Sequence, residues 1–497
     1  MKTLRRHLGL LAALGLALCS NTAAAQTMVT LQSGAVSGVT DAGVTSFKGI
    51  PFAAPPIGAL RWKAPQPPAH WQGVRVADKT GPSCMQRAAA NSTTATSEDC
   101  LYVNVWRPAE IPARAKLPVM VWIYGGSFVI GSGASPLYDG ANLARNGVII
   151  VNINYRLGRF GWFAYPELTK EADAMGTGNF GLMDQIAALK WVQANIGAFG
   201  GDPANVTVFG ESAGAMSLND LLSIPKARGL FAKGITESGL GRIPATPLAA
   251  AEARGTAFAK SAGAADLAAL RNLPASAVLE STENFGPILD GTLLPANVDR
   301  TFGDGNETKV PWIVGSNDFE ASLFAGRLTD PDAYLATLPA TDRTQLIALY
   351  DPQNLGNKMK IAADVVTDKV FTEPARFLAG SEAKTGQPVY RYFFSYVPEQ
   401  ARTRVLGAGH GSEIQFVFGN LANRLITYTD SDKRTSTVMG QYWTNFAKTG
   451  NPNGLGLVAW PADKNDQVLL IDATGEHAAS GFRKPQLDIL LHETTTP

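Results

Sequence analysis

The chain has 497 residues, 43 Lys+Arg against 42 Asp+Glu, and 45% hydrophobic residues. That charge balance carries no electrostatic footprint for nucleic acid or another polyanion, and no apolar stretch approaches the roughly 18 to 20 residues of a membrane-spanning helix. A chain of this length exceeds the usual single core, which predicts either two domains or one large α/β sheet with insertions.

Lys2, Arg5 and Arg6 precede an apolar run from Leu8 to Leu18 and the small residues Ala23, Ala24 and Ala25. This order reads as a secretory signal peptide over residues 1–25, so an exported protein is expected, in the periplasm or the medium. Cys19 follows the bulky Leu18, which speaks against a lipoprotein signal. Cleavage takes Lys+Arg from 43 to 40 against 42 acidic residues, a net charge near −2. Cys84 and Cys100 remain, and in an exported chain the pair reads as one disulfide around a polar loop tip. No cysteine or histidine cluster has metal spacing, and no metal or cofactor is expected.

Short β-branched runs from Val29 to Val44, separated by Gly and Asp, predict an antiparallel meander. Phe47 to Pro56 is read as breaking regular structure, with a Pro-rich loop continuing to Pro68. Apolar runs of strand length follow at Leu101–Trp106, Val119–Tyr124, Val148–Ile153 and Val206–Phe209, as expected for a sheet covered on both faces. Between the last two, Leu182, Ile186, Leu189, Val192 and Ile196 recur at helical spacing. Alanine-rich helices are expected from Pro244 to Leu279, further strands at Val310–Gly315 and Pro388–Tyr396, and helices around Tyr334–Tyr350 and Met359–Ala383. The alternation predicts an α/β fold: a large, mostly parallel sheet covered by helices, with helical cap segments around 240–300 and 330–385 in a single domain over 26–497.

Within this pattern, Gly210-Glu211-Ser212-Ala213-Gly214 has the G-x-S-x-G form in which a serine sits on a sharp strand-to-helix turn. A serine hydroxyl needs a base to take its proton, and that base needs an acid to hold its tautomer. Of His70, His410, His477 and His492, His410 alone lies on a Gly-flanked loop, Gly407 to Gly411, downstream of a strand. Asp318 and Glu320 follow the strand at Val310–Gly315, Asp290 lies before it, and spacing does not choose among them. Val119–Tyr124 runs into Gly125-Gly126-Ser127, where a bare backbone can approach a developing oxyanion together with the N–H of Ala213. Glu211, directly beside the serine, is expected to be buried and hydrogen-bonded.

Taken together, Phe47 to Pro56, Ser97 to Asn104, Trp122 to Gly126, Asn154 to Gly158, Gly178 to Gln185, Gly200 to Pro203, Gly210 to Gly214 and His410 to Glu413 resemble the type-B carboxylesterase and cholinesterase family. The resemblance implies the α/β-hydrolase fold and hydrolysis of a small-molecule carboxylic ester through an acyl-enzyme. It implies Ser212 as nucleophile, His410 as base and Glu320 rather than Asp318 as acid, with oxyanion donors at Gly126, Ser127 and Ala213. It further implies a Cys84–Cys100 disulfide and a structural ion pair between Glu98 and Arg156. Where many relatives have a third glycine this chain has Ser127, whose side chain is expected to narrow the hole. The disulfide loop lacks the tryptophan with which cholinesterases bind choline, so choline esters are not the expected substrate. A lipase acting on longer acyl chains and a non-catalytic binding relative are the alternatives.

Overall fold

A computed structural model describes residues 26–87, 95–279, 284–421, 423 and 425–495. The proposed leader over residues 1–25 and the tip of the Cys84–Cys100 loop lie outside the described residues. The main sheet has thirteen strands. They are β1 (Gln26–Leu31), β2 (Gly34–Asp41), β3 (Val44–Pro51), β4 (Val74–Val76), β5 (Tyr102–Pro108), β6 (Leu117–Ile123) and β7 (Ile149–Ile153). The later ones are β8 (Gly201–Glu211), β9 (Lys233–Glu237), β10 (Trp312–Asn317), β11 (Val389–Phe394), β12 (Gln467–Asp472) and β13 (Gly475–Ser480).

Their spatial order is β1-β2-β3-β5-β7-β6-β8-β9-β10-β11-β12-β13, with β4 beside β2. From β7 to β12 every neighbouring pair is parallel, whereas β1, β2 and β3 form the expected antiparallel meander. Parallel strands are covered on both faces, and β6, β7 and β8 accordingly bury Val119, Val121, Ile149, Val151, Val206 and Val208. Two departures from the sequence reading concern strands. β3 continues through Phe47 to Pro51, taking up Gly49 in a register shift between Phe47 and Ile50. β9, whose one apolar side chain is Ile235, and the β12–β13 hairpin are strands that the sequence reading does not include.

The helix predicted from Leu182 is α1 (Phe180–Asn195), buried on nearly every side. After the elbow come α2 (Ala213–Ser223) and, in the first cap segment, α3 (Leu248–Ser261). The second cap segment comprises α4 (Pro331–Ala336), α5 (Ala340–Tyr350), α6 (Lys358–Thr367) and α7 (Glu373–Lys384), with a π turn at Asp368–Thr372 joining the last two. Beyond β11 lie α8 (Ile414–Phe418) and α9 (Asp430–Thr449). Thr429 and Asp432 form a capping box at the start of α9, and left-handed Gly450 ends it. None of the described helices is long and apolar enough to cross a membrane.

The parallel register brings distant residues to one edge. Ile123 lies opposite Gly210, Glu211 opposite Glu237, Glu237 opposite Gly315, and Asn317 opposite Phe394. The carboxyl ends of five adjacent strands, β6, β8, β9, β10 and β11, therefore open into one crevice, the usual place for a ligand in an open α/β sheet.

Cys84 and Cys100 are joined as a disulfide, as expected. The expected Glu98–Arg156 ion pair does not form. Arg156 lies over α1, where Asp184 accepts from its Nε and Nη2 at 2.8 Å each and from its backbone N–H at 3.0 Å. Glu98 instead accepts from Arg61 Nε at 2.8 Å and Nη2 at 2.5 Å. The swap has a plain physical reason: completely buried Asp184 needs a fixed two-pronged cation, and Arg156 presents one from the end of β7. Arg156→Met would strand the buried Asp184 carboxylate, so urea unfolding should show a loss of about 3 to 5 kcal/mol. Glu98→Gln, at a pair nearer the surface, should cost clearly less.

Candidate active site

Strand β8 ends at Glu211 and α2 begins at Ala213, so Ser212 must reverse the chain alone. It does so at φ 55° and ψ −122°, a conformation that costs a non-glycine residue about 1 to 3 kcal/mol. The flanking glycines make the turn possible. A Cβ on Gly214 would lie 2.0 Å from the Ile123 carbonyl oxygen, and one on Gly210 would lie 2.7 Å from the same oxygen. The Ser212 N–H donates to the Glu237 carbonyl at 2.9 Å, pinning the elbow to β9.

After β10, the chain turns so that Glu320 points back beneath the crevice, fully buried. Its Oε1 accepts from the Asn317 N–H at 2.7 Å and from Ser238 Oγ at 2.5 Å. Its Oε2 lies 2.5 Å from His410 Nδ1. The His410 loop is fastened at three further points: His410 N–H to Ser322 Oγ at 2.8 Å, Asn317 Nδ2 to the Gly409 carbonyl at 2.9 Å, and Phe319 N–H to the Ala408 carbonyl at 3.0 Å. The π turn places the Phe371 ring 5.3 Å from the imidazole, centroid to centroid.

The other candidates have structural work of their own. Asp318 accepts from the Ala408 N–H at 2.6 Å and so braces the histidine loop from outside. Asp290 gathers the N–H groups of Thr292, Leu293 and Leu294 and of Thr177, tying two loops together. His70 and His477 are exposed, the latter on β13, and His492 lies in the C-terminal helix Lys484–Thr495.

At the end of β6, Gly126 has φ 114°, and a Cβ there would lie 2.2 Å from the Ile130 carbonyl oxygen. Ser127 and Phe128 follow with φ 54° and 61°, turning the loop sharply. Among the described residues, the N–H groups of Gly126, Ser127 and Ala213 make no hydrogen bond, which leaves them available to an anion. The Ser127 side chain is exposed.

The sequence reading does not foresee the carboxylate cluster around His410. Glu211 is buried as expected, but its Oε1 makes no hydrogen bond and lies 3.1 Å from His410 Nε2. Nε2 is likewise without a hydrogen bond among the described residues, to Ser212 or any other group. Glu413 is buried and accepts from Asn317 Nδ2, and Glu237 accepts from Trp443 Nε1 at 2.8 Å. Burial pushes the Glu211 carboxyl up to about 7, against the opposing charge of His410. Burial and the charges of Glu211 and Glu320 push Glu413 up to about 8. For His410, burial works against the imidazolium, but Glu211, Glu320 and Glu413 outweigh it and raise its pKa.

Two outcomes follow for the hydrolysis that the resemblance implies. Gly126→Ala should drive Cβ into the Ile130 carbonyl, displace the donors and lower kcat by about 10²- to 10³-fold. Removing a negative neighbour lowers a histidine pKa, so Glu211→Gln should extend the neutral-imidazole form downward. The acid limb of the kcat/KM profile should then move to lower pH by about one unit.

A model of the carboxylesterase family matches residues 25–490. The chain is 39% identical to a para-nitrobenzyl esterase of Bacillus subtilis (strain 168), over 90% of this chain and 95% of that one. It is also 39% identical to a fumonisin B1 esterase of Sphingopyxis macrogoltabida, over 86% and 83% of the two chains. A solved structure of a PNB esterase superposes with a TM-score of 0.82 at 36% identity, covering 93% of this chain and 99% of the other. A carboxylesterase of Geobacillus stearothermophilus superposes with a TM-score of 0.80 at 34% identity, over 93% and 100% of the two chains. By family match, relatives and architecture together, the chain belongs to the carboxylesterase family and is a carboxylic ester hydrolase with the α/β-hydrolase fold.

Proposed function

We propose that Ser212, His410 and Glu320 form the catalytic triad of this hydrolase, with the N–H groups of Gly126, Ser127 and Ala213 as its oxyanion hole. The observation that carries the reading is the short contact between His410 Nδ1 and the buried Glu320, beside a strained turn displaying Ser212. Ser212 Oγ attacks the ester carbonyl carbon while its proton passes to His410 Nε2. The carbonyl oxygen becomes an oxyanion held by the three donors, and collapse expels the alcohol, which takes the proton from Nε2. Water then attacks the acyl-enzyme by the same route and releases the acid. Nε2 carries no hydrogen bond in the resting enzyme, so the Ser212–His410 bond forms as substrate settles. Glu320 fixes the tautomer and offsets the imidazolium charge.

The steps use only side chains and backbone of this chain. Residues 1–25 serve as a cleaved signal for export to the periplasm or medium, and residues 26–497 form the single catalytic domain with its two cap segments. Beside the elbow, Phe128, Met216 and Leu240 line a cavity of about 340 Å³, within the range of ordinary ligand pockets. Its wall also carries Asn219 and Asp220, which suits small or medium esters better than a long bare acyl chain.

Incubation with a fluorophosphonate should label Ser212 covalently in the folded protein. Ser212→Ala should abolish the label and lower ester turnover by about 10⁴-fold or more. An unlabelled Ser212 in active enzyme would refute the triad. In an acyl-length series of p-nitrophenyl esters, activity should be confined to short and medium chains, and rising activity on long chains would instead identify a lipase.

A further inference from the structure

Asp220 is a buried acid that the ester chemistry does not use. It lies on α2 eight residues beyond Ser212, roughly 12 Å along the helix, and its side chain lines the cavity next to the elbow. Only 4% of it is exposed, yet among the described residues it has neither a hydrogen bond nor an ion pair. Asp184 is matched by Arg156, Glu373 by Arg242, and Asp368 by Arg483 and Tyr350, whereas buried Glu307 faces the Glu382 carboxyl and does not line this cavity. Around Asp220 the cavity offers Met216, Leu240 and Ile243, which provide no counter-charge. Burial alone raises its carboxyl well above the usual range. Folding this group without a partner is costly, and a hydrocarbon side chain would fill the position at less expense.

We propose that Asp220 is a specificity-determining residue whose partner is the substrate: an ester bearing an ammonium group at the far end of its acyl or alcohol chain, seated in this cavity. The proposal rests on Ser212 being the nucleophile, since the elbow sets the distance between the scissile bond and Asp220. An ammonium supplies both the charge and the donors that an acceptor-only carboxylate lacks, whereas a hydroxyl supplies one hydrogen bond and no charge. Buried Asn219 stands beside Asp220 with its Nδ2 unpartnered, a donor for a polar atom further along the same substrate. Among the described residues lining the cavity, the one other charged side chain is that of Arg254, which is exposed and donates to the Asn284 carbonyl at 3.4 Å. Water screens its charge there.

The test compares three matched chain ends, ω-amino, ω-hydroxy and methyl, in methyl esters of medium-chain acids and in acetate esters of medium-chain alcohols. In one of the two series the wild type should turn over the amino compound with a kcat/KM at least about tenfold above the methyl-ended one. Asp220→Leu should reverse that ratio and raise the thermal midpoint. Asp220→Asn, an isosteric change, should abolish the amino preference and serves if the leucine variant fails to fold. Preference for the methyl end in both series, preference for the hydroxyl, or a ratio unchanged in the variants would each overturn the assignment. Fluorophosphonate labelling of Ser212 in the same preparations separates the two readings. A labelled enzyme without amino preference loses only the Asp220 subsite, and an unlabelled one loses the triad itself.

Discussion

Everything at the centre of this molecule depends on holding a fully buried carboxylate, Glu320, against the imidazole of His410. Burying a charge is costly unless its lone pairs are filled. Here the Asn317 N–H, Ser238 Oγ and His410 Nδ1 fill them. Those donors come from the end of β10, the end of β9 and the loop beyond β11, so the contact joins three segments that only the parallel register brings together. Asp318, Ser322 and Asn317 then hold the histidine loop from its other side. The orientation of the imidazole is thus a property of the sheet edge and not of one loop.

The second constraint is electrostatic. Glu211, Glu237, Glu320 and Glu413 are buried together around one imidazole, and they interact strongly enough that burial and mutual repulsion raise Glu211, Glu237 and Glu413. Such a cluster is expensive in a folded protein, yet it favours the imidazolium that the proposed proton transfer from Ser212 requires. Part of the backbone strain lies at the same place: Ser212, Ser127 and Phe128 all hold positive φ values. Stability is given up locally to preorganise charge and geometry, while the apolar strands and α1 carry the fold.

What the sequence makes legible follows from how local each feature is. The elbow can be read because Gly210 and Gly214 are required by contacts within one turn and one neighbouring strand. His410 stands out because a glycine-flanked histidine after a strand is rare among so few histidines. The acid is not legible from spacing, because Asp290, Asp318 and Glu320 share one chemistry and differ only in which donors surround them; resemblance to a family, not periodicity, separates them. Strand β9 escapes a pattern reading because Lys233, Thr236 and Glu237 are polar yet buried. The exchange of partners among Glu98, Arg61, Arg156 and Asp184 escapes it as well, since matching cations to anions needs three-dimensional proximity. The isolation of Asp220 is invisible for the same reason: a helical aspartate has the same sequence signature whether solvated or buried without a partner.

The acylation rate of Glu320→Gln, followed by stopped flow with a chromogenic ester, tests most directly whether Glu320 orients His410. The amide keeps the shape but can present its NH₂ to Nδ1 and favour the wrong tautomer, so acylation should fall by about 10⁴-fold with the fold intact. An acylation rate within tenfold of the wild type, in a properly folded variant, would contradict the account.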